Sequence, residues 1–396
     1  MIFTRDASTL LSQPLIPPRM GGRRGRPFVT TQVAMQQSVN WAAMNLWAAL
    51  ESMMPVDVFR VIDGIKVPVA APQVLVSPSS FADGHSDSIS DWLYARRMSL
   101  KGWGNCFGEI TAVDALGKPA QIQLVAPEDV RCTIVNRRIV EYKFGNTVMD
   151  SRRVWHDREN LLPGNPVGLS PIAHAMFTIQ TGSSAGEFMA DWFGNGAVPG
   201  AHLKNVAKVL KKATPTERAE ADVIKEKFKN SMLNGDLFVT GNDWTYTAIQ
   251  AKAAESGWLD VMNVSAIQLC QFQNTPASLI DVSVTGSASI VYQNITQRIT
   301  DFLVTRMGPS LKRTDDALTS LTPSPRFVKL TREAVLAMDP VTRAELLKTK
   351  IDSRTLTPTE ARHIDDRAPF TEEQLQEFDR LYGSKNQTPA PKGIPA

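Results

Sequence analysis

A chain of 396 residues with 43 Lys plus Arg against 40 Asp plus Glu carries a net charge of +3, too little to suit a protein that grips nucleic acid by neutralising many phosphates. With 43% hydrophobic and 21% charged residues it has a globular make-up and enough length for two or three structural units, and no apolar run approaches the roughly 18 residues needed to cross a bilayer. Cys106, Cys132 and Cys270 stand far apart without a CxxC pair, which excludes a zinc or disulfide framework and suits a reducing compartment.

Residues 1–28, with PLIPPRMGGRRGRP, read as a flexible arm. Its Arg19, Arg23, Arg24 and Arg26 either touch nucleic acid or form a solvated tail. Arg5 and Asp6 interrupt MIFTRDASTLL, so it does not read as a secretory leader. From Val29 the chain becomes structured. Val39, Met44, Trp47 and Leu50 recur near helical spacing until Pro55 ends the helix. VDVFRVIDGIKVPV predicts a hairpin turning at Asp63-Gly64, and residues 90–100 predict a short helix. Residues 105–155 predict a β-rich unit: NCFGEITAV, AQIQLVAP, VRCTIV, RIVEYKF and TVMDSRRVWH, with turns such as Gly117-Lys118 and Gly145-Asn146 between them.

Leu169-Ser170-Pro171 opens a long helix, with Ser170 as N-cap and Pro171 in the first helical position. It ends at Gly194-Asn195-Gly196, and roughly 24 residues span about 36 Å. Gly182, Ser183, Ser184, Ala185 and Gly186 fill its middle. A helical glycine costs about 1 kcal/mol against alanine, a cost that close approach by another backbone offsets. That backbone belongs either to this chain or to a neighbouring copy. Residues 197–250 read as a compact insert with a strand near 198–203, a charged helix near 216–232, and strands at 236–240 and 245–248. A second long helix covers 251–272, with Trp258, Met262, Leu269 and Phe272 on one face. Asn274-Thr275-Pro276 breaks it, and SLIDVSVTGSAS reads as a loop. A third helix runs over 289–307 with Val291, Ile295, Ile299 and Phe302 in register, and Pro309, Pro323 and Pro325 mark a linker. Residues 331–382 read as a small helical unit, followed by a Pro-rich, disordered tail.

Neither GxxxxGK[ST] nor HExxH occurs in the sequence. His85, His156, His174, His202 and His363 are scattered. The densest polar cluster is His156-Asp157-Arg158-Glu159. Neighbours on a strand point to opposite faces, and Arg158 brings positive charge, so a metal site is not expected there. The pairs Asp315-Asp316, Asp365-Asp366 and Glu372-Glu373 suit solvated faces or helix N-termini. No catalytic, cofactor-binding or metal-ligating residue is therefore expected, and no cofactor.

Residues 169–200 carry a family resemblance. Leu169-Ser170-Pro171-Ile172, the small-residue helix, and Trp192-Phe193-Gly194-Asn195-Gly196-Ala197-Val198-Pro199-Gly200 resemble a segment of HK97-like phage portal subunits. LVAPEDVR (124–131), RRVWHDRENLLPGN and DPVTRAELLKTKIDSRTLTPTEAR (339–362) resemble other family blocks in the same order. FQNTPASLI (272–280) fits at Pro276 and Leu279. The similarity runs from about Val33 to Gly383.

The resemblance implies an α+β portal fold. Residues 29–168 would be a β-rich wing, 169–196 and 251–273 the two stem helices, and 197–250 an α/β clip. Residues 274–288 would be a tunnel loop, 289–322 a long kinked wing helix, 323–383 a small helical crown, and 384–396 a disordered tail. It further implies a ring of twelve subunits at one capsid vertex of the virion, assembled in the host cytoplasm, with no membrane. Double-stranded DNA would pass through it non-specifically. Large terminase, major capsid protein and head–tail adaptors would be its partners.

Asp281, Thr285, Gly286, Ser287, Ala288 and Ser289 would line the channel. Lys204, Lys208, Lys211, Lys212, Lys225, Lys227 and Lys229 would dock terminase or adaptor, or else form a solvated face. Gly182, Gly186, Trp258 and Met262 would pack the stem. A head maturation protease or a non-catalytic nucleic-acid binder are the alternatives. The first lacks a nucleophile–base set in the sequence, and the second lacks a basic excess.

Overall fold

The computed structural model describes residues 30–81, 84–194, 201–205, 222–227, 244–248, 258–282, 293–336, 340–365 and 367–382. The chain divides into two units, Met1–Thr331 and Arg332–Ala396.

The first unit opens with two helices where one was expected: α1 (Thr31–Met35) and α2 (Ser38–Ser52). Thr30 caps α1, its hydroxyl accepting from Val33 N–H at 3.2 Å. Gln37 turns extended between the helices, and its side-chain amide donates to Ile179 O and Ser183 Oγ. Asn40 Nδ2 donates to Ala34 O at 3.2 Å, a carbonyl that also accepts from Gln37 N–H. Strands β1 (Val56–Ile62) and β2 (Ile65–Pro68) form the hairpin, and Asp63 and Gly64 both take positive φ, as a tight two-residue turn requires.

Helix α3 (Ile89–Trp103) is longer than the sequence suggested. Ser88 caps its start, and Gly104 in the left-handed region closes its end on Leu100 O. Beyond β3 (Ser79–Ser80) and β4 (Ser86–Asp87), the β-rich unit is two three-stranded sheets. Its strands are β5 (Asn105–Val113), β6 (Pro119–Val125), β7 (Val130–Val135), β8 (Arg138–Phe144), β9 (Thr147–Met149) and β10 (Val154–Arg158). The orders are β10-β5-β6 and β7-β8-β9. TVMDSRRVWH, expected as one strand, is therefore two strands in different sheets. The short turn Ser151–Arg153, capped by Asp150, separates them. Phe107, Val130 and Cys132 are buried where the sheets meet. All three cysteines are buried and free, and burial pushes the thiols of Cys106 and Cys132 up to about 12.

Helices α4 (Pro171–His174) and α5 (Met176–Gly194) replace the single helix expected from residue 171. Helix α6 (Trp258–Phe272) packs against α5. Between them, β11 (Ala201–Asn205) pairs antiparallel with β12 (Trp244–Ala248), and residues 222–227 are helical. The strand expected at 236–240 lies outside the described residues.

Helix α7 (Gln293–Asp301) continues through a π-helical stretch, Phe302–Met307, into α8 (Gly308–Ser320). Pro309 thus starts a helix and does not open a linker. Proline has no N–H to give, and the wider π turn absorbs the missing bond. Strand β13 (Arg326–Leu330) then pairs with β1, giving the order β13-β1-β2, with Phe59 stacked on Phe327. Residues 326–330 therefore belong to the first unit. Asp315 also departs from expectation. It is buried and accepts from Leu330 N–H at 2.9 Å, while Asp316 is exposed and pairs with Lys312.

The second unit holds α9 (Glu333–Leu336), α10 (Pro340–Asp352), α11 (Pro358–Ile364) and α12 (Glu372–Tyr382). Thr357 and Glu360 form a reciprocal capping box at α11. Arg362 lies over the Phe370 ring, and Arg343 pairs with Asp365 at 2.8 Å. No helix among the described residues is long and apolar enough to cross a membrane.

Candidate functional site

The helix pair α5–α6 begins on a fixed anchor. Ser170 Oγ accepts from Ala173 N–H and donates to Gly102 O at 2.8 Å. Asn105 exchanges hydrogen bonds with both the N–H and the carbonyl of Gly168. A Cβ on Gly104 would sit 2.2 Å from Leu169 O, and one on Gly168 would sit 2.0 Å from Gly104 O. Only glycine allows the two backbones to cross here.

Along the pair, Ile179 and Leu269 share a buried cluster with Ala34, Met44, Ile172 and Ala175. Thr178 Oγ1 donates to Gln268 Oε1 at 3.2 Å. A Cβ on Gly182 would touch Ser265 Cβ at 3.6 Å, so α5 approaches α6 at this glycine. A Cβ on Gly186 would meet nothing within 4 Å among the described residues. Met262 is 39% exposed and lines a groove of about 240 Å³ with Gln37, Gly182 and Leu269. The single face expected for α6 therefore splits: Leu269 is buried, and Met262 and Phe272 are open. Trp258 starts α6, but its side chain lies outside the described residues.

Beyond α6 the chain turns at Asn274, whose φ is 54°. Thr275 Oγ1 accepts from Trp47 Nε1 at 2.9 Å, deep in the protein. Gln273 Nε2 donates to Asn40 Oδ1, and Arg306 donates to Asn274 Oδ1, each at 2.8 Å. The other side of Trp47 meets Phe302 edge-on, with centroids 5.3 Å apart. Lys101 Nζ lies over the Trp47 ring, 3.5 Å from its centroid.

Lys101 belongs to a buried cluster that the sequence reading did not find. Glu51 binds Arg96 at 2.8 Å and also binds Arg97. Arg96 binds Asp157, and Glu159 binds Arg97 at 3.3 Å and Lys101 at 3.5 Å. Ser310 and Thr314 of α8 complete it: Arg97 donates to both, and they donate to Glu159 and Glu51 in turn. Three cations meet three carboxylates. Burial works against each charge, and proximity restores it. Burial would raise the Glu159 carboxyl, yet Lys101 and Arg97 hold it down to about 2. Burial would lower Arg97, yet Glu51 and Glu159 hold it above its ordinary value. For Lys101 burial prevails, and the ammonium is pushed down to about 8 despite Glu159. The signal available in sequence was Arg96-Arg97 standing among Trp92, Leu93 and Leu100 on one helix.

His156 and Asp157 point apart, as strand alternation requires. Asp157 joins the charge cluster, whereas His156 stacks on Phe107 at 4.3 Å. Its Nδ1 accepts from Tyr142 O–H, and its Nε2–H donates to Asn105 Oδ1. Burial, and secondarily Arg158, push this imidazole down to about 3, so it is neutral at pH 7. Among the described residues, no group of three or more His, Cys, Asp or Glu is placed to hold a metal ion.

Of the remaining sequence-derived candidates, only Asp281, Lys225 and Lys227 have described side chains. Asp281 is exposed with φ 55°. Thr285, Gly286, Ser287, Ala288 and Ser289 lie outside the described residues. So do Lys208, Lys211, Lys212 and Lys229, together with the side chain of Lys204. Lys225 and Lys227 are exposed on the 222–227 helix, with Glu226 between them.

Three comparisons bear on this architecture. Residues 38–366 match the model of the family described as phage portal protein. The chain is 22% identical to the portal protein of Enterobacteria phage HK97, covering 93% of this chain and 89% of that one. It is also 22% identical to a probable portal protein of Streptomyces phage phiC31, covering 86% and 77%. In fold it is similar to an HK97 family phage portal protein from Corynebacterium diphtheriae, with TM-score 0.59 and 15% identity over 78% of this chain and 99% of that one. A chain from the neck of a native gene transfer agent particle, computed with C12 symmetry, is similar with TM-score 0.54 and 15% identity, covering 91% and 96%.

Proposed function

The chain belongs to the phage portal protein family, and from that premise we propose that it assembles into a ring of twelve at one capsid vertex and conducts DNA. The observation that carries this reading is the family match, which covers the first unit from α2 onward and the second as far as residue 366. The C12 symmetry of the related neck particle supports the ring.

In this reading the β-rich part of the first unit, with α7 and α8, is the wing. Helices α5 and α6 are the stem, and residues 197–250 are the clip. Residues 274–288 form the tunnel loop, and the second unit is the crown. DNA passes through without sequence preference, because strong phosphate contacts would act as brakes on sliding. A net charge of +3 and the run Thr285-Gly286-Ser287-Ala288-Ser289 suit low friction. The clip lysines, Lys225 and Lys227 among them, meet acidic surfaces of the large terminase or of a head–tail adaptor. Capsid protein surrounds the ring, which is assembled in the host cytoplasm. The work of the chain is geometric, and no residue in it carries out a reaction.

Electron microscopy or native mass spectrometry of the purified protein tests the ring. Closed rings of about twelve subunits with a central hole are expected; a stable monomer at high concentration overturns the reading.

A further inference from the structure

Thr275 and Phe302, which bound the segment 276–301, are both buried. Both points touch one side chain. Trp47 donates its indole N–H to Thr275 Oγ1 at 2.9 Å and meets the Phe302 ring edge-on. Trp47 is itself held from behind by the ammonium of Lys101, 3.5 Å from the ring centre, and by the guanidinium of Arg97 at 5.6 Å. Both cations are fixed by Glu159, and Arg97 also by Glu51. At the surface a second tie, Arg306 to Asn274 Oδ1 at 2.8 Å, joins the same two roots. The π-helical stretch Phe302–Met307 begins at the clamped residue. Thr305 Oγ1 donates to Asp301 O there, giving a partner to a carbonyl near the junction.

We propose that Trp47 is a positioning residue that holds both roots of the segment 276–301 on one buried platform. The two roots are then fixed by α2 and the charge cluster behind it. Helix α6 ends at Phe272, and across the turn at Asn274 the clamped Thr275 donates its N–H back to Cys270 O at 2.8 Å. The functional side of this inference, that the segment acts on passing DNA, rests on the channel reading above; the clamp itself does not.

Hydrogen exchange on the assembled full-length protein tests the clamp. Trp47→Phe keeps an aromatic ring and removes the N–H. Thr275→Val keeps the shape and removes the acceptor, whereas Thr275→Ser keeps the acceptor. Trp47→Phe and Thr275→Val are each expected to speed exchange of residues 274–282 and 293–301 by about five- to tenfold, the effect of one buried hydrogen bond, with residues 38–52 unchanged. The double variant should exceed neither single variant, and Thr275→Ser should behave as wild type. An equal rise in residues 38–52, additive effects, or no rise at all overturns the clamp. Particles carrying Trp47→Phe are further expected to lose packaged DNA. Full retention despite faster exchange would remove the channel reading and leave the clamp in place.

Discussion

Glu51 is shared by two guanidinium groups and a threonine hydroxyl, all buried. Removing its charge strands both arginines in a low-dielectric interior. Breaking such a pair from one side costs about 3–5 kcal/mol, because a buried charge is left uncompensated. Glu51→Gln is therefore expected to lower the denaturant midpoint strongly; a change under about 1 kcal/mol would show that the arginines find other partners. His156 gives a test of opposite character. Its pKa is depressed from 6.5 to about 3, so below pH 6.5 the unfolded chain binds a proton that the folded chain refuses. Stability from this group is present above 6.5 and is lost as pH falls toward 3, by at most about 1.4 kcal/mol per pH unit. The stability gap between wild type and His156→Gln should narrow over that window. Parallel curves would mean that the ring is not held neutral.

At the scale of elements, glycines divide into those the fold requires inside one chain and those it does not. Gly104 has positive φ and lies against the Leu169 carbonyl. Gly104→Ala should cost about 3 kcal/mol, seen as a lower melting temperature of the isolated chain. Gly186→Ala meets nothing within 4 Å among the described residues and gains helix propensity, so the isolated chain should be unharmed or stabilised by up to about 1 kcal/mol. If α5 packs on a neighbouring copy at this point, ring yield is where that substitution is felt. The local signals in the sequence were sound where chemistry is local. The Asp63-Gly64 turn, the Ser170–Pro171 helix start and the two glycine-marked β turns could all be read directly. What stayed hidden depends on distant partners. Strand β13 pairs with a strand more than 250 residues earlier, and no composition or period announces that. The break at Gln37 serves contacts with Ile179 and Ser183, and Asp315 is buried to cap β13. Pro309, a stop signal in isolation, is accommodated by a π turn.

For the whole molecule, the proposed channel makes charge a property of the assembly. A change repeated in every subunit of a ring adds charge in multiples of the copy number. Replacing Ser287 and Ser289 with arginine is expected to slow or stall DNA packaging, measured as DNA taken up per particle. Unchanged packaging and retention would remove residues 274–288 from the channel wall. The family relation was legible because several short blocks recur in fixed order. The charge cluster was not, since its members come from α2, α3, β10 and α8 and converge only on folding. That convergence has a consequence for descent. Each single replacement at positions 51, 96, 97, 101, 157 or 159 passes through an intermediate with an unmatched buried charge, so related sequences should keep all six or exchange them together for apolar side chains. Aligned relatives would then show these positions covarying as a block, while the exposed lysines nearby drift independently.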